Sequence, residues 1–148
     1  MRAFALSVTV TVLATAGVVS ACADAAAAPP NPCTVITSAD AASVLKATPA
    51  SAKPKTTATG RTCTYAVKHT SLVIETRTVA SASAFAASTR ALRSPVFAVA
   101  GISNAYSADS GKELALWKNG TEVIVEFVGV NPVVQVQATL ASEAFASL

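Results

Sequence analysis

The chain has 148 residues, with 11 Lys and Arg against 8 Asp and Glu, a formal charge of +3 and 52% hydrophobic residues. This small positive excess argues against a nucleic-acid partner, which requires a basic patch, and the composition is unlike that of an acidic solvating tail. Alanine is very common, and aromatic residues make up only 5% of the chain. The length corresponds to one domain.

The first residues have the pattern of an export signal. Arg2 supplies positive charge, residues 3–21 contain no charged residue, and the stretch ends in Val19-Ser20-Ala21-Cys22. An aliphatic residue, two small residues and a cysteine resemble the lipobox of bacterial lipoproteins, in which the thiol receives diacylglycerol and a peptidase cuts before the cysteine. We therefore expect a lipoprotein signal peptide over 1–21 and lipidation of Cys22. Anchoring would be stable, because a diacylglyceryl group carries two acyl chains.

Three other interpretations of this segment stay open. A plain secretory signal would be cut near Ala21 or Ala25, the apolar run is just long enough to remain as a membrane-spanning helix, and Cys22 would otherwise pair in a disulfide. With lipidation, the mature chain has 127 residues, with ten Lys and Arg against eight Asp and Glu. It would lie on the outer face of the cell membrane, where Pro29 and Pro30 help make residues 22–31 an extended, flexible tether to a domain at 32–148.

The two remaining cysteines predict a disulfide. In an exported chain, Cys33 and Cys63 are most simply a bonded pair. The closed loop of about thirty residues would stabilise the fold by roughly 3–4 kcal/mol on the chain-entropy account. A metal site is a poor alternative, because two thiols and the lone His69 do not complete a ligand set, and a redox pair lacks the C-x-x-C spacing. We expect neither a metal nor a cofactor.

Three helices follow from the spacing of apolar residues. Thr37 and Asp40 form a capping pair at the start of the first, which ends before Pro49. The second is expected at 80–93, where Pro95 forbids continuation. The third covers 133–148, although alternation at Val134-Gln135-Val136-Gln137 would also allow a strand to about residue 138. Residues 51–60, rich in Lys, Pro and Thr, are expected to be a surface loop, and its threonines could carry sugar.

Strands follow from alternation of apolar and polar residues. They are expected at 61–68, 71–79, near 105–107, 113–118 and 121–128. Asn119-Gly120 is the clearest local signal, because this dipeptide favours the two-residue turn of a β-hairpin. The segment Val99-Ala100-Gly101-Ile102 could cross the core, with Gly101 supplying a bend. The order of elements predicts a single α+β domain, an antiparallel sheet packed against helices.

No pattern indicates catalysis. The only histidine, His69, is expected in an exposed turn, and the serines lack a G-x-S-x-G motif. Glu122 and Glu126 share one face of a predicted strand; such a pair could serve acid–base chemistry, but a solvated outer face is the better interpretation. Trp117 is expected to be partly buried, with a binding platform as the alternative. We therefore expect a protein that is not an enzyme, and the residues of any ligand-binding site stay unknown.

Several segments together resemble a known group of proteins. The lipobox at 19–22 is followed by Pro32-Cys33-Thr34-Val35-Ile36-Thr37, then by Cys63-Thr64-Tyr65 and by Val99-Ala100-Gly101-Ile102-Ser103-Asn104-Ala105-Tyr106. This pattern resembles small actinobacterial, mycobacterial-type cell-envelope lipoproteins whose shared domain has no assigned function. Ser103 departs from that group, which has a second glycine there, and the second half of the chain is short. The resemblance implies an antiparallel α+β fold at the cell envelope and supplies no catalytic residues.

Two functions compete at this stage. The first is a non-catalytic, membrane-anchored accessory module that binds another envelope protein through a sheet or helix face. The alternative is a carrier of a small hydrophobic ligand such as a lipid, because the many small side chains could leave a cavity between sheet and helices. A hydrolase is a third hypothesis. The expected partners are the membrane, through lipidated Cys22, and either an envelope protein or a lipid, but no nucleic acid.

Overall fold

The computed structural model describes residues 27–92 and 95–148. The expected signal peptide, the expected lipidation site Cys22 and residues 23–26 of the expected tether lie outside the described residues. Within them, the chain forms one α+β domain, an antiparallel sheet packed against helices. The predicted fold class is confirmed.

The helices are α1 (Pro32–Val35), α2 (Ser38–Leu45), α3 (Ala82–Thr89) and α4 (Val134–Ser147). The strands are β1 (Lys55–Thr56), β2 (Arg61–Val67), β3 (Thr70–Thr78), β4 (Phe97–Ala98), β5 (Ala105–Ala108), β6 (Glu113–Lys118) and β7 (Thr121–Val128). A 3-10 turn at Asp109–Gly111 joins β5 to β6. The sheet has the order β1-β2-β3-β7-β6-β5-β4, and every neighbouring pair is antiparallel.

Two local sequence signals set element boundaries as predicted. The hydroxyl of Thr37 accepts from the amide of Asp40, whose carboxylate accepts in turn from the amide of Thr37 at 2.7 Å, so α2 begins in a complete capping box. At the β6–β7 turn, Asn119 and Gly120 have φ of 50° and 81°, the left-handed geometry of the tight hairpin turn.

One face of the sheet, the core face, packs against α1, α2 and α4. Its strand residues are buried and lie opposite one another in register: Leu72 with Phe127, Ile74 with Val125, Leu116 with Val123, and Leu114 with Val125. Residues 133–148 resolve as helix rather than strand, because Leu140, Ala141 and Ala144 fall on one helical stripe that the sheet buries.

A disulfide joins Cys33 in α1 to Cys63 in β2, with the two Cα atoms 5.5 Å apart. The predicted pairing is confirmed. The hydroxyl of Tyr65 adds to the same junction by donating to the carbonyl oxygens of Ile36 at 3.0 Å and Cys33 at 3.2 Å. The single-turn helix α1, which the sequence analysis did not predict, is therefore held to the sheet both covalently and by hydrogen bonds.

The opposite, outer face of the sheet is covered only in part, by α3. Phe85 of α3 is fully buried, and its ring lies 5.8 Å from that of Tyr106 on β5. Beyond α3 the outer face is open, and Thr64, Glu126 and Val128 are exposed there. This half-covered face also carries the charged residues Arg77, Glu122 and Glu126.

The two ends of the sheet contact different parts of the chain, and we call them the near end and the far end. At the near end, β3 finishes at Thr78 and β7 begins at Thr121. At the far end, β3 begins at Thr70 and β7 finishes at Val128. Eight residues of β7 separate the ends by about 24 Å. The Thr78 hydroxyl donates to the carbonyl of Ala27 at 3.3 Å, so the chain meets the domain at the near end.

Four segments differ from the sequence-based expectation. Residues 27–31, assigned to the tether, contact β3, and the Thr76 hydroxyl donates to the carbonyl of Pro30 at 2.7 Å. The expected loop 51–60 contains the edge strand β1, where polar side chains suit a strand with one side in solvent. The segment 99–102 does not cross the core but turns between β4 and β5, with Gly101 at φ 79° supplying the predicted bend. Finally, α3 is shorter than expected.

Candidate functional site

A cleft of about 530 Å³ opens at the far end of the domain. The 3-10 turn and the start of β6 form one wall, and the end of β7 with the loop that follows forms the other. We call it the far-end cleft; its lining residues are Asp109, Lys112, Glu113, Glu126, Phe127, Val128, Gly129, Val130 and Asn131. The amide of Phe127 donates to the carbonyl of Lys112 at 2.8 Å and ties the two walls together.

The 3-10 turn beside this cleft has an unusual backbone. Asp109, Ser110 and Gly111 have φ of 47°, 54° and 91°, three consecutive residues in the left-handed region. Each non-glycine residue there costs roughly 1–2 kcal/mol, and such strain clusters at binding sites and switches. The side-chain amide of buried Gln137, on α4, donates to the carbonyl of Gly111 at 2.6 Å and holds the turn in place.

The outer-face side of the cleft is acidic. Glu113 on β6 and Glu126 on β7 lie directly opposite each other in register, and like charges so placed repel. Further along the same face, Glu122 hydrogen-bonds to Arg77 and raises the pKa of that guanidinium above its ordinary value, against the opposing effect of burial. Glu75 and Glu113 act on Arg77 in the same direction as Glu122.

Large apolar side chains are exposed at the same end of the domain as the cleft. Val128, on the same face of β7 as Glu126, is 42% exposed, and Val133 and Val134, at the start of α4, are 66% and 80% exposed. Pro132 lies against Gly111 of the strained turn, which brings these valines to the same end of the domain as the cleft. The site therefore combines carboxylates with large apolar side chains that the domain itself leaves uncovered.

The structure separates the two glutamates that the sequence places together. Glu126 is exposed, as a solvated outer face requires, but Glu122 is fully buried, so that part of the interpretation is wrong. The cause is α3, which covers this part of the sheet: Ser88 donates to one carboxylate oxygen of Glu122 at 2.9 Å, and Arg77 binds the other. Both carboxylate oxygens of Glu122 therefore accept hydrogen bonds, and the group is unavailable for acid–base chemistry.

The other residues singled out in the sequence lie apart from the far-end cleft. His69 is exposed in the β2–β3 turn, as expected. Trp117 is half-buried, and its indole N–H donates to the carbonyl of Val79 at 2.8 Å, which matches the expected partial burial. The sequence analysis did not identify the 3-10 turn or the adjacent Val133 and Val134 as a site. The Ser110-Gly111 dipeptide is a local signal that could have indicated a turn there.

A second carboxyl pair lies on the helical side of the domain. Burial, together with the nearby charge of Asp40 and a hydrogen bond to it, raises the pKa of Glu143 above its ordinary value. Asp40 already serves the cap of α2, so this contact links the first turn of α2 to α4. Among residues 27–92 and 95–148, no group of three or more His, Cys, Asp and Glu is placed to hold a metal ion.

Comparison with known proteins adds no relative: no family model, curated protein or solved structure matches the chain. None of the helices in the described part of the chain is both long and apolar enough to span a membrane.

Proposed function

We propose that this protein is a lipid-anchored, non-catalytic module on the outer face of the cell membrane that binds another envelope protein through its far-end cleft. The observation that carries the proposal is that the N-terminal attachment and the far-end cleft lie at opposite ends of the domain. Ala27 meets the domain at the near end, beside Thr78, whereas the acidic and apolar surface lies about 24 Å away at the far end. An anchor at Cys22 would therefore leave that surface directed away from the bilayer.

The chemistry of the far-end cleft suits a protein partner. Stable protein interfaces combine an apolar centre with charged and polar groups at the rim. Exposed Val133 and Val134, at the same end of the domain, supply apolar area, while Glu126, which lines the cleft, supplies charge. The complementary surface is a basic segment with an adjoining apolar side chain. The hydrogen bond from Gln137 to Gly111 restrains the 3-10 turn that forms one wall of the cleft, and such restraint lowers the ordering cost of binding.

The packing of the core supports this function over that of a lipid carrier. Large aliphatic side chains fill the space between the sheet and its helices, and Leu72, Ile74, Leu116 and Leu140 are each exposed by 1% or less. A carrier needs an apolar cavity large enough to bury most of its ligand. The many alanines instead serve close packing, since Ala141 and Ala144 of α4 lie buried against the sheet side of the helix.

Lipid anchoring is tested by the mass of the native mature protein. It should begin at Cys22 and exceed the mass of its sequence by at least a diacylglyceryl group, and Cys22→Ser should abolish the addition. An unmodified N-terminus at Ala23 or later would contradict the proposal. In native mass spectrometry, a stoichiometric lipid that stays bound to Cys22→Ser protein would instead favour the carrier function.

Partner binding is tested by a photo-crosslinking amino acid placed on α4 in cells. At Val134, on the far-end margin, it should give one discrete protein adduct; at the exposed Ala146 near the other end of the same helix it should give none. Glu126→Lys, which reverses a charge across the cleft, should remove the adduct without unfolding the domain. An adduct that survives Glu126→Lys, or that forms equally from Ala146, would contradict binding through this cleft.

A further inference from the structure

We infer that β4 is an interface at which two copies of this chain pair edge to edge, in antiparallel orientation, to form one continuous sheet. In the described part of the chain, β4 is the last strand of the sheet and pairs with β5 alone. This edge lies apart from the far-end cleft. The inference goes beyond the proposed function and does not depend on the anchor at Cys22.

The backbone of β4 presents hydrogen-bonding groups on the side away from β5. The N–H of Val99 donates to the carbonyl of Ala105 at 2.9 Å, and Ala98 precedes Val99 in the strand, opposite Tyr106. Successive residues of a strand direct their N–H and C=O groups alternately to its two sides. Those of Ala98 therefore point away from β5, which is the arrangement that a further strand pairs with.

The two edges of the sheet differ in their protection against such pairing. At β1, the residues Lys53-Pro54-Lys55 supply the charge and the proline that natural sheets use to keep edge strands apart. At β4, by contrast, residues 94–108 contain no charged side chain, and Pro95 lies before the strand. Val96 and Phe97 are 39% and 62% exposed. An uncharged apolar edge of this kind is a surface on which another chain pairs.

The sequence of this edge is complementary to itself. When Ala98 lies opposite Ala98 of a second copy, Phe97 lies opposite Val99 of that copy. Aromatic and β-branched residues are favourable cross-strand partners, and Val99 already belongs to the core, so the ring of Phe97 extends that core across the interface. The methyl groups of Ala98 leave room at the two-fold axis, and no like charges within the strands are opposed. Both copies then make the same hydrogen bonds, as two-fold symmetry requires.

The pairing leaves the far-end cleft open, because the cleft lies at the ends of β6 and β7 and the interface lies at β4. The charged side chain beside Val96 is Arg90, which is exposed, so solvent screens its charge. Antiparallel pairing places the N-terminal attachments of the two copies at opposite ends of the joined sheet. A pair held by the proposed anchors would therefore lie with its sheet along the bilayer.

The experiment measures self-association of residues 22–148 with Cys22→Ser by sedimentation equilibrium; these residues retain every strand and helix of the described fold. An interface of one short strand is small and transient, so the protein is followed up to about 1 mM, and a reversible monomer–dimer equilibrium is expected. Ala98→Pro removes both symmetric hydrogen bonds of Ala98. It should weaken dimerisation about 30-fold, which is two bonds at about 1 kcal/mol each. Proline is tolerated at an edge position whose N–H faces outward, so the domain should keep its fold.

Thr56→Pro is the matched control on the other edge. The N–H of Thr57 donates to the carbonyl of Gly60 at 2.9 Å, so the N–H of the preceding Thr56 points away from β2. This variant should leave the dissociation constant within twofold of the parent. Equal weakening by the two prolines would overturn the inference. So would a monomer at every concentration, which would leave β4 to a different partner.

Charge at Phe97 tests the register of the pairing and does not require that a proline be tolerated. The two Phe97 side chains are diagonal neighbours on one face, about 7–8 Å apart. Phe97→Asp and Phe97→Lys should each weaken self-association by more than tenfold, because like charges meet and the apolar contact is lost. An equimolar mixture should form a heterodimer that about 0.5 M salt weakens. A mixture that associates no more tightly than its components would contradict the antiparallel pairing.

Discussion

The buried ion pair on the outer face gives the sharpest test of how α3 is held to the sheet. The side chain of Glu122 is 1% exposed and that of Arg77 is 28% exposed. Arg77→Met leaves the Glu122 carboxylate with the Ser88 hydroxyl alone. Removing one partner of a buried pair costs about 3–5 kcal/mol. Because water can enter where the partly exposed guanidinium lay, we expect a cost at or just below the bottom of that range, about 2–3 kcal/mol.

The assay is a double-mutant cycle of urea denaturation with the disulfide intact. Arg77→Met and Glu122→Leu are measured singly and together. Since an apolar pair avoids the burial of an uncompensated charge, the double variant should be more stable than Arg77→Met, and the coupling energy should reach about 2 kcal/mol. Arg61→Met is the matched control, because Arg61 has no buried acid opposite it; it should change stability by at most about 0.5 kcal/mol.

Two outcomes would refute the view that Arg77 compensates a buried carboxylate. One is a loss in Arg77→Met no larger than that in Arg61→Met, and the other is a coupling energy near zero.

Three further predictions concern stability. Gly111→Ala should lower the free energy of unfolding by about 2–3 kcal/mol in urea denaturation, because a Cβ at φ 91° would lie 2.5 Å from the side-chain amide nitrogen of Gln137. Gly101→Ala, at φ 79° with nothing within 4 Å of the added Cβ, should lower it by only about 1 kcal/mol. Equal losses would contradict the role of the Gln137 contact. The raised pKa of Glu143 favours the fold at low pH, and this contribution is lost as the pH rises through that value. Glu143→Gln should therefore flatten the dependence of stability on pH above about 4.5, and an unchanged dependence would contradict the raised pKa. Opening the disulfide with a reductant should lower the free energy of unfolding by about 3–4 kcal/mol, and an unchanged midpoint would show that the cross-link does not constrain the unfolded chain.

The fold was predictable where the signals are local. The capping pair Thr37 and Asp40 acts within one turn of helix, and Asn119-Gly120 determines its own turn geometry, so neither depends on distant residues. Alternation located the long strands to within two residues. The disulfide was predictable for a different reason, because Cys33 and Cys63 remain as an even pair once Cys22 is assigned to lipid.

The candidate site was not predictable, because it depends on tertiary contacts. Alternation placed Glu122 and Glu126 on one face, but nothing local says that α3 covers the first and not the second. Likewise, the far-end cleft arises where the 3-10 turn meets the end of β7 and the loop that follows, and the hydrogen bond from Gln137 to Gly111 ties this turn to α4. Gln137 interrupts the buried apolar stripe of α4, and only the structure shows that its side-chain amide donates to the carbonyl of Gly111.

The disulfide also decides how the domain responds to force applied at its N-terminal side. Tension on the chain before Ala27 first breaks the hydrogen bonds to Thr78 and Thr76, each worth about 0.5–1.5 kcal/mol. Detachment of the chain from the sheet then stops at Cys33, because the disulfide transmits the applied force directly to Cys63 in β2. The thirty residues behind that cross-link, about 100 Å of extended chain, stay out of the extension. Under tension on its N-terminal side, the domain would therefore lose the contacts of residues 27–31 and keep its helices and sheet.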